Sequence, residues 1–288
     1  MGFRTIIIDS HSKLEYSLEY LVFRTVDSIK RILLDEINLL IINSTCVSLT
    51  SSLVSELSKR KIKIIFCDEK QNPICETVNL YGSHNSSKRI FEQVNWDSNI
   101  LDNIRAAIIK EKINNQAKTL YKYRKIDKYK ELVLYRNEVC TGDITNREGH
   151  AAKVYFNNMY YDGFRRDDDS DINKYLNYGY TILLSCFNRC VSSHGYLTQL
   201  GIHHRNEFNQ FNFSCDLIET FRFIIDEMVE KITQNKWKEQ IIAFLSKTFK
   251  IDGKEQTLIN AIEIYFLSVI KAINENNPKL IKFIEHAI

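Results

Sequence analysis

Short apolar runs separated by polar turns fill the first eighty residues, a pattern typical of β-strands. The runs are rich in Ile, Val, Leu or Phe, and they predict strands at Thr5–Ile8, Tyr20–Arg24, Ile37–Ile42, Ile62–Phe66 and Pro73–Leu80. Leu53 and Leu57, at helical spacing after a polar Thr-Ser-Ser segment, predict one helix among the strands. The pattern therefore predicts a small β-rich domain over residues 1–81.

The character of the chain changes after a small, polar segment at residues 82–87, which indicates a linker. Apolar residues then recur at helical spacing between residues 99 and 137. Further helices are predicted near 145–161, 171–194, 214–232, 235–249 and 254–273. The predicted fold class is α+β, in which the N-terminal β-rich domain is followed by a larger all-α domain over residues 88–288.

Hydrophobic residues make up 44% and charged residues 26% of the 288-residue chain, proportions that exclude a disordered or fibrous protein. No apolar stretch is long enough to span a bilayer. The apolar run near the N-terminus is too short for a signal peptide, and Asp9 interrupts it. Seven cysteines without a Cys-x-x-Cys motif favour a reducing, intracellular compartment. We therefore expect a cytoplasmic protein.

Basic residues are concentrated between residues 105 and 136, where ten Lys or Arg against three acids give a local charge of +7 in a chain of net +3. Four tyrosines are interleaved with them. Such a segment attracts phosphate backbones and can stack its tyrosines on unpaired bases, but a solvated helix face has the same composition. On the first interpretation the nucleic-acid-binding residues are Lys118, Lys122, Arg124, Lys125, Lys128 and Lys130.

Three segments that contain acids or histidines, at residues 145–153, 201–205 and 215–222, hold candidate metal ligands. Each segment has a structural alternative. Thr145 and Glu148 fit a capping box, in which Glu148 only closes the start of a helix. Adjacent histidines in a polar loop are commonly solvated, and acids in the first turn of a helix are favoured by the helix dipole.

The second and third segments are more informative together. Asp216 and Glu219 lie three positions apart, in the first turn of a predicted helix, so both carboxylates share one helix face. His204 lies twelve residues before Asp216, in a loop that can fold back over the start of that helix. Two carboxylates and one imidazole suit Mn²⁺ or Mg²⁺, and such an ion can polarise a phosphodiester and stabilise its attacking and leaving oxygens.

Four blocks follow one another along the chain: Asn-Arg-Glu-Gly at 146–149, Leu-Asn-Tyr-Gly-Tyr at 176–180, Gly-Ile-His-His at 201–204 and Asp-Leu-Ile-Glu-Thr-Phe-Arg at 216–222. Together with the chain length and the β-then-α plan, these blocks resemble the integrase family of CRISPR spacer acquisition, and most closely its type II-A branch. One departure is Thr220, where the family often has Pro.

The resemblance implies that Glu148, His204 and Glu219 bind Mg²⁺ or Mn²⁺, and that Asp216 beside them supports catalysis. Either His203 or His204 can turn inward, and the spacing favours His204. The resemblance also leaves His204 an alternative role as a proton carrier rather than a ligand.

By the same resemblance, the protein is a homodimer built through its β domains, and it binds double-stranded DNA and a second CRISPR adaptation protein. In that complex, each 3′ hydroxyl of a short DNA attacks a phosphodiester at one end of a CRISPR repeat. Two other functions stay open. One is a general metal-dependent nuclease of branched DNA, and the other is a non-catalytic nucleic-acid-binding subunit whose acids serve only as helix caps.

Overall fold

The computed structural model describes residues 4–79, 83–233 and 235–286. By their contacts, these residues fall into two units, one formed by residues up to 84 together with 192–195 and the other by the rest. Gly82, the first residue of the predicted linker, lies outside the described residues, and the last two residues of that linker already belong to a helix that begins at Ser86.

In the described part of the first unit, eight strands form two sheets. The strands are β1 (Arg4–Ile8), β2 (Ser12–Ser17), β3 (Tyr20–Arg24), β4 (Ile29–Leu33), β5 (Ile37–Ile42), β6 (Val47–Leu49), β7 (Lys63–Cys67) and β8 (Pro73–Glu76). One sheet has the order β1-β5-β7-β8, in which only the β7–β8 pair is antiparallel. The other has the order β4-β3-β2-β6, in which only the β2–β6 pair is parallel.

Five of the six residues of β5 are apolar, which follows from its position, because every residue of this strand, including Asn38, is buried in the middle of the first sheet. Helix α1 (Ser51–Lys59) starts at Thr50, whose hydroxyl accepts a hydrogen bond from the backbone N–H of Leu53. Leu53 and Leu57 are fully buried in the core of this unit, as their spacing predicts.

All five predicted strands are present, although β8 ends at Glu76 and the predicted end at Leu80 lies outside the described residues. The sequence pattern misses β2, β4 and β6. Charged or polar residues interrupt these strands, and two of them, β4 and β6, lie at the edges of their sheet, where a strand has a hydrogen-bonded neighbour on one side only.

Helices dominate the chain beyond residue 85. They are α2 (Ser86–Val94), α3 (Ser98–Lys122), α4 (Ile126–Glu138), α5 (Arg147–Met159), α6 (Asp171–Ser193), α7 (Asn212–Ile218), α8 (Arg222–Val229), α9 (Trp237–Ile242) and α10 (Leu258–Asn274). This confirms the predicted α+β class, with a β-rich part followed by a mostly helical part. None of the helices in the described ranges combines the length and the hydropathy needed to cross a membrane.

The second unit is not all-α, which corrects one detail of the prediction. Strands β9 (Thr248–Ile251) and β10 (Lys254–Thr257) form an antiparallel hairpin, and the predicted helices at 235–249 and 254–273 shorten to α9 and α10. Asp252 and Gly253 form the turn, and both have positive φ. An Asp-Gly pair is a strong signal for a β-hairpin. The apolar spacing on either side of it favours helices, and this is why the pattern predicts helices here.

Close packing around α3, the longest helix, positions the functional site. The carboxylate of Asp97 accepts hydrogen bonds from the N–H groups of Asn99 and Ile100 and fixes the start of this helix. Its buried face packs against α4 and α5 in one hydrophobic cluster. On α6, a Cβ at Gly179 would lie 2.5 Å from Ile225, so glycine at this position allows α6 and α8 to approach closely.

Candidate active site

Glu148 lies in the first turn of α5, and other residues cap this helix. Asn146 is the N-cap residue, and the Asp143 carboxylate accepts hydrogen bonds from the backbone N–H groups of Arg147 (2.9 Å) and Glu148 (3.0 Å). The predicted capping box of Thr145 and Glu148 is therefore wrong. Because Asp143 and Asn146 do the capping, the Glu148 side chain is available for other contacts.

The prediction that Asp216 and Glu219 lie in the first turn of one helix is wrong. Asp216 is the fifth residue of α7, and Glu219 opens the 3-10 turn Glu219–Phe221 that joins α7 to α8. The helix dipole, which favours acids only near a helix start, therefore does not explain why Asp216 lies here. Both acids nevertheless line one small cavity, about 20 Å³ in volume.

The buried carboxylate of Asp216 organises the histidine loop. Its oxygens accept hydrogen bonds from the backbone N–H groups of Ile202 (2.6 Å), His203 (3.0 Å) and His204 (3.2 Å). Oδ1 also lies 2.6 Å from Nδ1 of His204, and this hydrogen bond raises the pKa of His204. A Cβ at Gly201 would lie 2.6 Å from Asp216 Oδ2, so only glycine allows the loop to wrap this carboxylate so tightly.

Lys112, on α3, lies between the other two acids. Its Nζ atom is 2.6 Å from Oε1 of Glu148 and 2.6 Å from Oε2 of Glu219, while Nε of Arg222 donates to Oε1 of Glu219 at 3.0 Å. Burial would raise the pKa of Glu219, but the Arg222 and Lys112 charges outweigh burial and lower that pKa to about 2. Burial lowers the pKa of Lys112, and the two glutamates more than reverse this. Lys112 and Glu219 are therefore both ionised at neutral pH.

The four predicted site residues come together around the small cavity, which Glu148, His204, Asp216 and Glu219 all line together with His203. The acids fall into two groups: Glu148 and Glu219 share Lys112, and Asp216 holds His204. Within the described ranges, no group of three His, Cys, Asp or Glu side chains is arranged so that it could bind one metal ion. The Lys112 ammonium lies where the two glutamate carboxylates converge.

The two histidines of the loop have different surroundings. Burial, and then the charge of Arg105, lowers the pKa of His203, whereas the hydrogen bond to Asp216 raises the pKa of His204. The side chain of His204 is 43% exposed, while Asp216 behind it is buried. The ring of His204 therefore faces solvent on one side, and its contact with the buried Asp216 carboxylate on the other side fixes its orientation.

A second, larger cavity, about 300 Å³ in volume, adjoins the same cluster and is lined by Lys112 and Glu219 as well. Asp226 lies at its wall, where the hydroxyls of Tyr180 and Tyr155 donate hydrogen bonds to its carboxylate. Burial raises the pKa of Asp226 to about 6, although the two tyrosine hydrogen bonds act in the opposite direction. No pattern in the sequence indicates this buried carboxyl.

The basic segment divides between two places. Arg105 and Lys112 line the cavities of the candidate site. The six predicted nucleic-acid-binding residues instead surround the turn between α3 and α4: Lys118, Lys122, Arg124, Lys125, Lys128 and Lys130. Of these, Lys122 pairs with Glu227 and Lys128 with Glu131, whereas Lys125 and Lys130 are exposed to solvent. We call this group of six the turn patch.

Two of the interleaved tyrosines pack against each other. The rings of Tyr121 and Tyr129 meet edge to face, with 5.2 Å between their centroids. Tyr121 is partly exposed beside the turn patch. Both rings therefore help to hold α3 and α4 together at the turn.

Sequence reasoning missed two residues of the site. The sequence pattern groups Lys112 with the basic segment. On α3, however, it lies among Ile108, Ile109 and Ile113, where an ammonium group requires buried partners. Arg222 lies three positions after Glu219, a spacing at which helical side chains meet, and the same spacing was used to pair the acids.

Carboxylates, a histidine and buried basic groups gathered around one cavity are typical of sites that act on phosphodiesters. The family model described as CRISPR associated protein Cas1 matches residues 5–247, which is most of the chain. The chain therefore belongs to the Cas1 family, and the family predicted from the four sequence blocks is confirmed.

Individual relatives agree with this. The CRISPR-associated endonuclease Cas1 of Neisseria meningitidis serogroup C (strain 8013) is 26% identical over 99% of this chain and 97% of that protein. A solved Cas6-RT-Cas1–Cas2 complex matches 97% of this chain with a TM-score of 0.75 and 18% identity, but the match covers only 36% of that longer chain. A casposase bound to its integration product matches with a TM-score of 0.74 and 18% identity, over 96% of this chain and 92% of that one. At such identities, the structures support the fold.

Proposed function

We propose that this chain is a metal-dependent integrase and endonuclease of CRISPR adaptation, which joins the 3′ hydroxyl of a short DNA to a phosphodiester of a repeat array. The observation that carries the proposal is the convergence of Glu148 and Glu219 on one buried cationic group, beside the His204 ring that Asp216 holds. Glu148 and Glu219 are far apart in the sequence, yet they line one cavity together with Arg105. Lys112 and Glu219 also line the adjoining cavity.

The donor set fits a divalent cation. The Glu148 and Glu219 carboxylates already share one ammonium group at 2.6 Å each, so their oxygens can serve a single cation, and His204 lines the same cavity. Two oxygen donors and one imidazole suit Mg²⁺ or Mn²⁺. When bound, such an ion supplies electrostatic stabilisation of the phosphodiester oxygens that gain charge in the reaction.

The surrounding residues of the chain orient these donors. Asp216 fixes the His204 ring through Nδ1 and leaves Nε2 as the nitrogen that can bind the metal or carry a proton. Arg222 holds the second oxygen of Glu219, so this carboxylate keeps its direction when its other contacts change. Because transesterification exchanges one phosphodiester for another, the reaction needs no nucleotide cofactor.

The proposed partners are double-stranded DNA, a second CRISPR adaptation protein and a second copy of this chain. The similarity to a chain of a Cas6-RT-Cas1–Cas2 complex supports the second protein, and the similarity to a casposase bound to its integration product supports DNA. The turn patch offers a basic surface for the DNA backbone. Homodimer formation through the β-rich part and closeness to the type II-A branch stay predictions.

Strand transfer in solution tests the proposed function. The purified chain and its companion adaptation protein are mixed with a short duplex that carries free 3′ hydroxyls, a supercoiled repeat-bearing plasmid, and Mg²⁺ or Mn²⁺. We expect duplex joined to the plasmid at the repeat boundaries, and no product with EDTA. Cleavage of branched DNA without joined product would identify a general nuclease instead. DNA binding without either product would identify a non-catalytic binding subunit.

A further inference from the structure

The charges around Lys112 balance without a metal ion. Glu148 and Glu219 contribute two negative charges, and Lys112 and Arg222 contribute two positive ones within direct contact distance. The Lys112 and Glu219 side chains are only 14% and 10% exposed, so water screens these charges weakly. A divalent cation at the two carboxylates would meet the Lys112 ammonium at the same oxygens. The two cations cannot keep those positions together.

The neighbouring cavity offers the Lys112 side chain another position. Asn115 and Gln116, three and four positions further along α3, line the 300 Å³ cavity together with Lys112. Asn115 Oδ1 and Gln116 Oε1 are buried, and neither has a hydrogen-bond partner in the described part of the chain. Buried acceptors are rarely left unsatisfied, and the unbranched lysine side chain can rotate its three donors toward them.

We infer that Lys112 is a positioning residue that holds Glu148 and Glu219 together before the metal binds, and that its ammonium group then turns into the adjoining cavity toward Asn115 and Gln116. This inference rests on the proposed metal site and adds to it a competition between a side chain of the protein and the ion. The positive charge of Lys112 offsets the repulsion between the two carboxylates. It also makes metal binding weaker than it would be if Lys112 were absent.

Mn²⁺ affinity measured without DNA, by calorimetry or by electron paramagnetic resonance, tests the competition. Lys112→Met removes the competing charge, so we expect Mn²⁺ to bind about tenfold more tightly or better, because two charge-assisted contacts no longer have to break. Lys250→Met is the control, since it removes another glutamate-paired lysine of the same unit, outside both the candidate site and the turn patch, and its Mn²⁺ affinity should equal that of the wild type. Unchanged or weaker binding by Lys112→Met would overturn the inference.

The acceptors in the cavity provide a second readout. Gln116→Leu removes one of the oxygens proposed to receive the ammonium group, so it should weaken Mn²⁺ binding in the wild-type background and leave it unchanged in the Lys112→Met background. Such non-additivity is expected only for groups that interact. Equal effects in both backgrounds would contradict the proposed movement of Lys112.

Lys112→Met leaves two partly buried carboxylates without their shared cation, so its folding requires a check. Lys112→Gln, which keeps a hydrogen-bond donor, provides a second variant, and the melting temperature is measured for both with EDTA and with saturating Mn²⁺. The inference predicts that Mn²⁺ raises the melting temperature of these variants more than that of the wild type. Equal increments would count against it.

Glu219→Gln separates failure of this inference from failure of the proposed metal site. If Glu219→Gln abolishes Mn²⁺ binding while Lys112→Met does not strengthen it, the metal site stands and the role of Lys112 is refuted. If Glu219→Gln binds Mn²⁺ as the wild type does, the metal lies elsewhere, and both proposals are refuted.

Discussion

Oδ1 of Asp216 lies 2.6 Å from Nδ1 of His204, and the same carboxylate accepts hydrogen bonds from three consecutive backbone N–H groups of the histidine loop. One buried side chain therefore fixes both the path of the loop and the direction of the His204 ring. Asp216 acts on the proposed metal site through His204, as a carboxylate behind a metal-binding histidine does.

Asp216→Asn should lower strand-transfer activity and Mn²⁺ affinity, each by about 10- to 100-fold, which is typical of the loss of a group that orients a metal-binding histidine. The amide has one acceptor oxygen in place of two, so it cannot hold all three N–H groups and the ring. DNA binding through the distant turn patch should stay within twofold. Wild-type Mn²⁺ affinity in this variant would show that the Asp216 contact is only structural.

Charge reversal at two exposed lysines tests the turn patch. The double variant Lys125→Glu with Lys130→Glu should bind duplex DNA of any sequence more weakly, and the slope of log affinity against log salt concentration should become shallower by about one to two units. The matched control carries Lys254→Glu with Lys279→Glu, two exposed lysines elsewhere in the same unit. If both variants bind DNA equally, the turn patch is a solvated surface without a specific role.

The buried carboxyl of Asp226 predicts a pH dependence of stability. Burial raises its pKa from the usual 3.8 to about 6, so the folded state keeps a proton that the unfolded state releases at lower pH. The contribution of this group to the free energy of unfolding is therefore present below about pH 4 and is lost as the pH rises through about 6. The charged and titratable groups that surround it are Tyr155, Tyr160, Tyr180, Arg166 and Arg222.

Asp226→Asn removes this ionisation while keeping the shape of the side chain. The stability difference between the wild type and Asp226→Asn should shift by on the order of 2–3 kcal/mol between about pH 4 and pH 7, with the wild type losing stability as the pH rises. Denaturant unfolding of both proteins at matched pH values measures the shift. A constant difference across that range would show that Asp226 keeps its ordinary pKa.

The overall plan of the fold could be predicted because its strongest signals are local. β5 is apolar at five of its six positions because it is buried on both faces, and α1 and α3 carry helical spacing with Thr50 and Asp97 at their starts. Strand β2 is missed by a search for apolar runs because its apolar residues, Leu14 and Tyr16, alternate with the charged residues Lys13 and Glu15.

The site could be predicted only in part, for a related reason. The acids and His204 belong to short blocks that the sequence displays directly, whereas Lys112 reaches them from a helix 36 positions before Glu148. Pairing over such a distance depends on tertiary packing. The Thr145–Glu148 spacing also suggests a capping box, but the Asn146 and Asp143 side chains accept the hydrogen bonds from the first N–H groups of α5 instead.

Strand transfer by Glu219→Gln, compared with Glu227→Gln, tests the central claim most directly. Both glutamates are largely buried and both pair with a lysine of α3. For both, contacts with neighbouring basic side chains lower the pKa to about 2 despite burial, so the two substitutions remove equivalent charges. If Glu219 belongs to the metal site, its variant should lose strand transfer into a repeat-bearing plasmid by at least about 100-fold, while Glu227→Gln loses only stability. Equal activities of the two variants, at matched folded fractions, would contradict the assignment of these residues to the chemistry of an integrase.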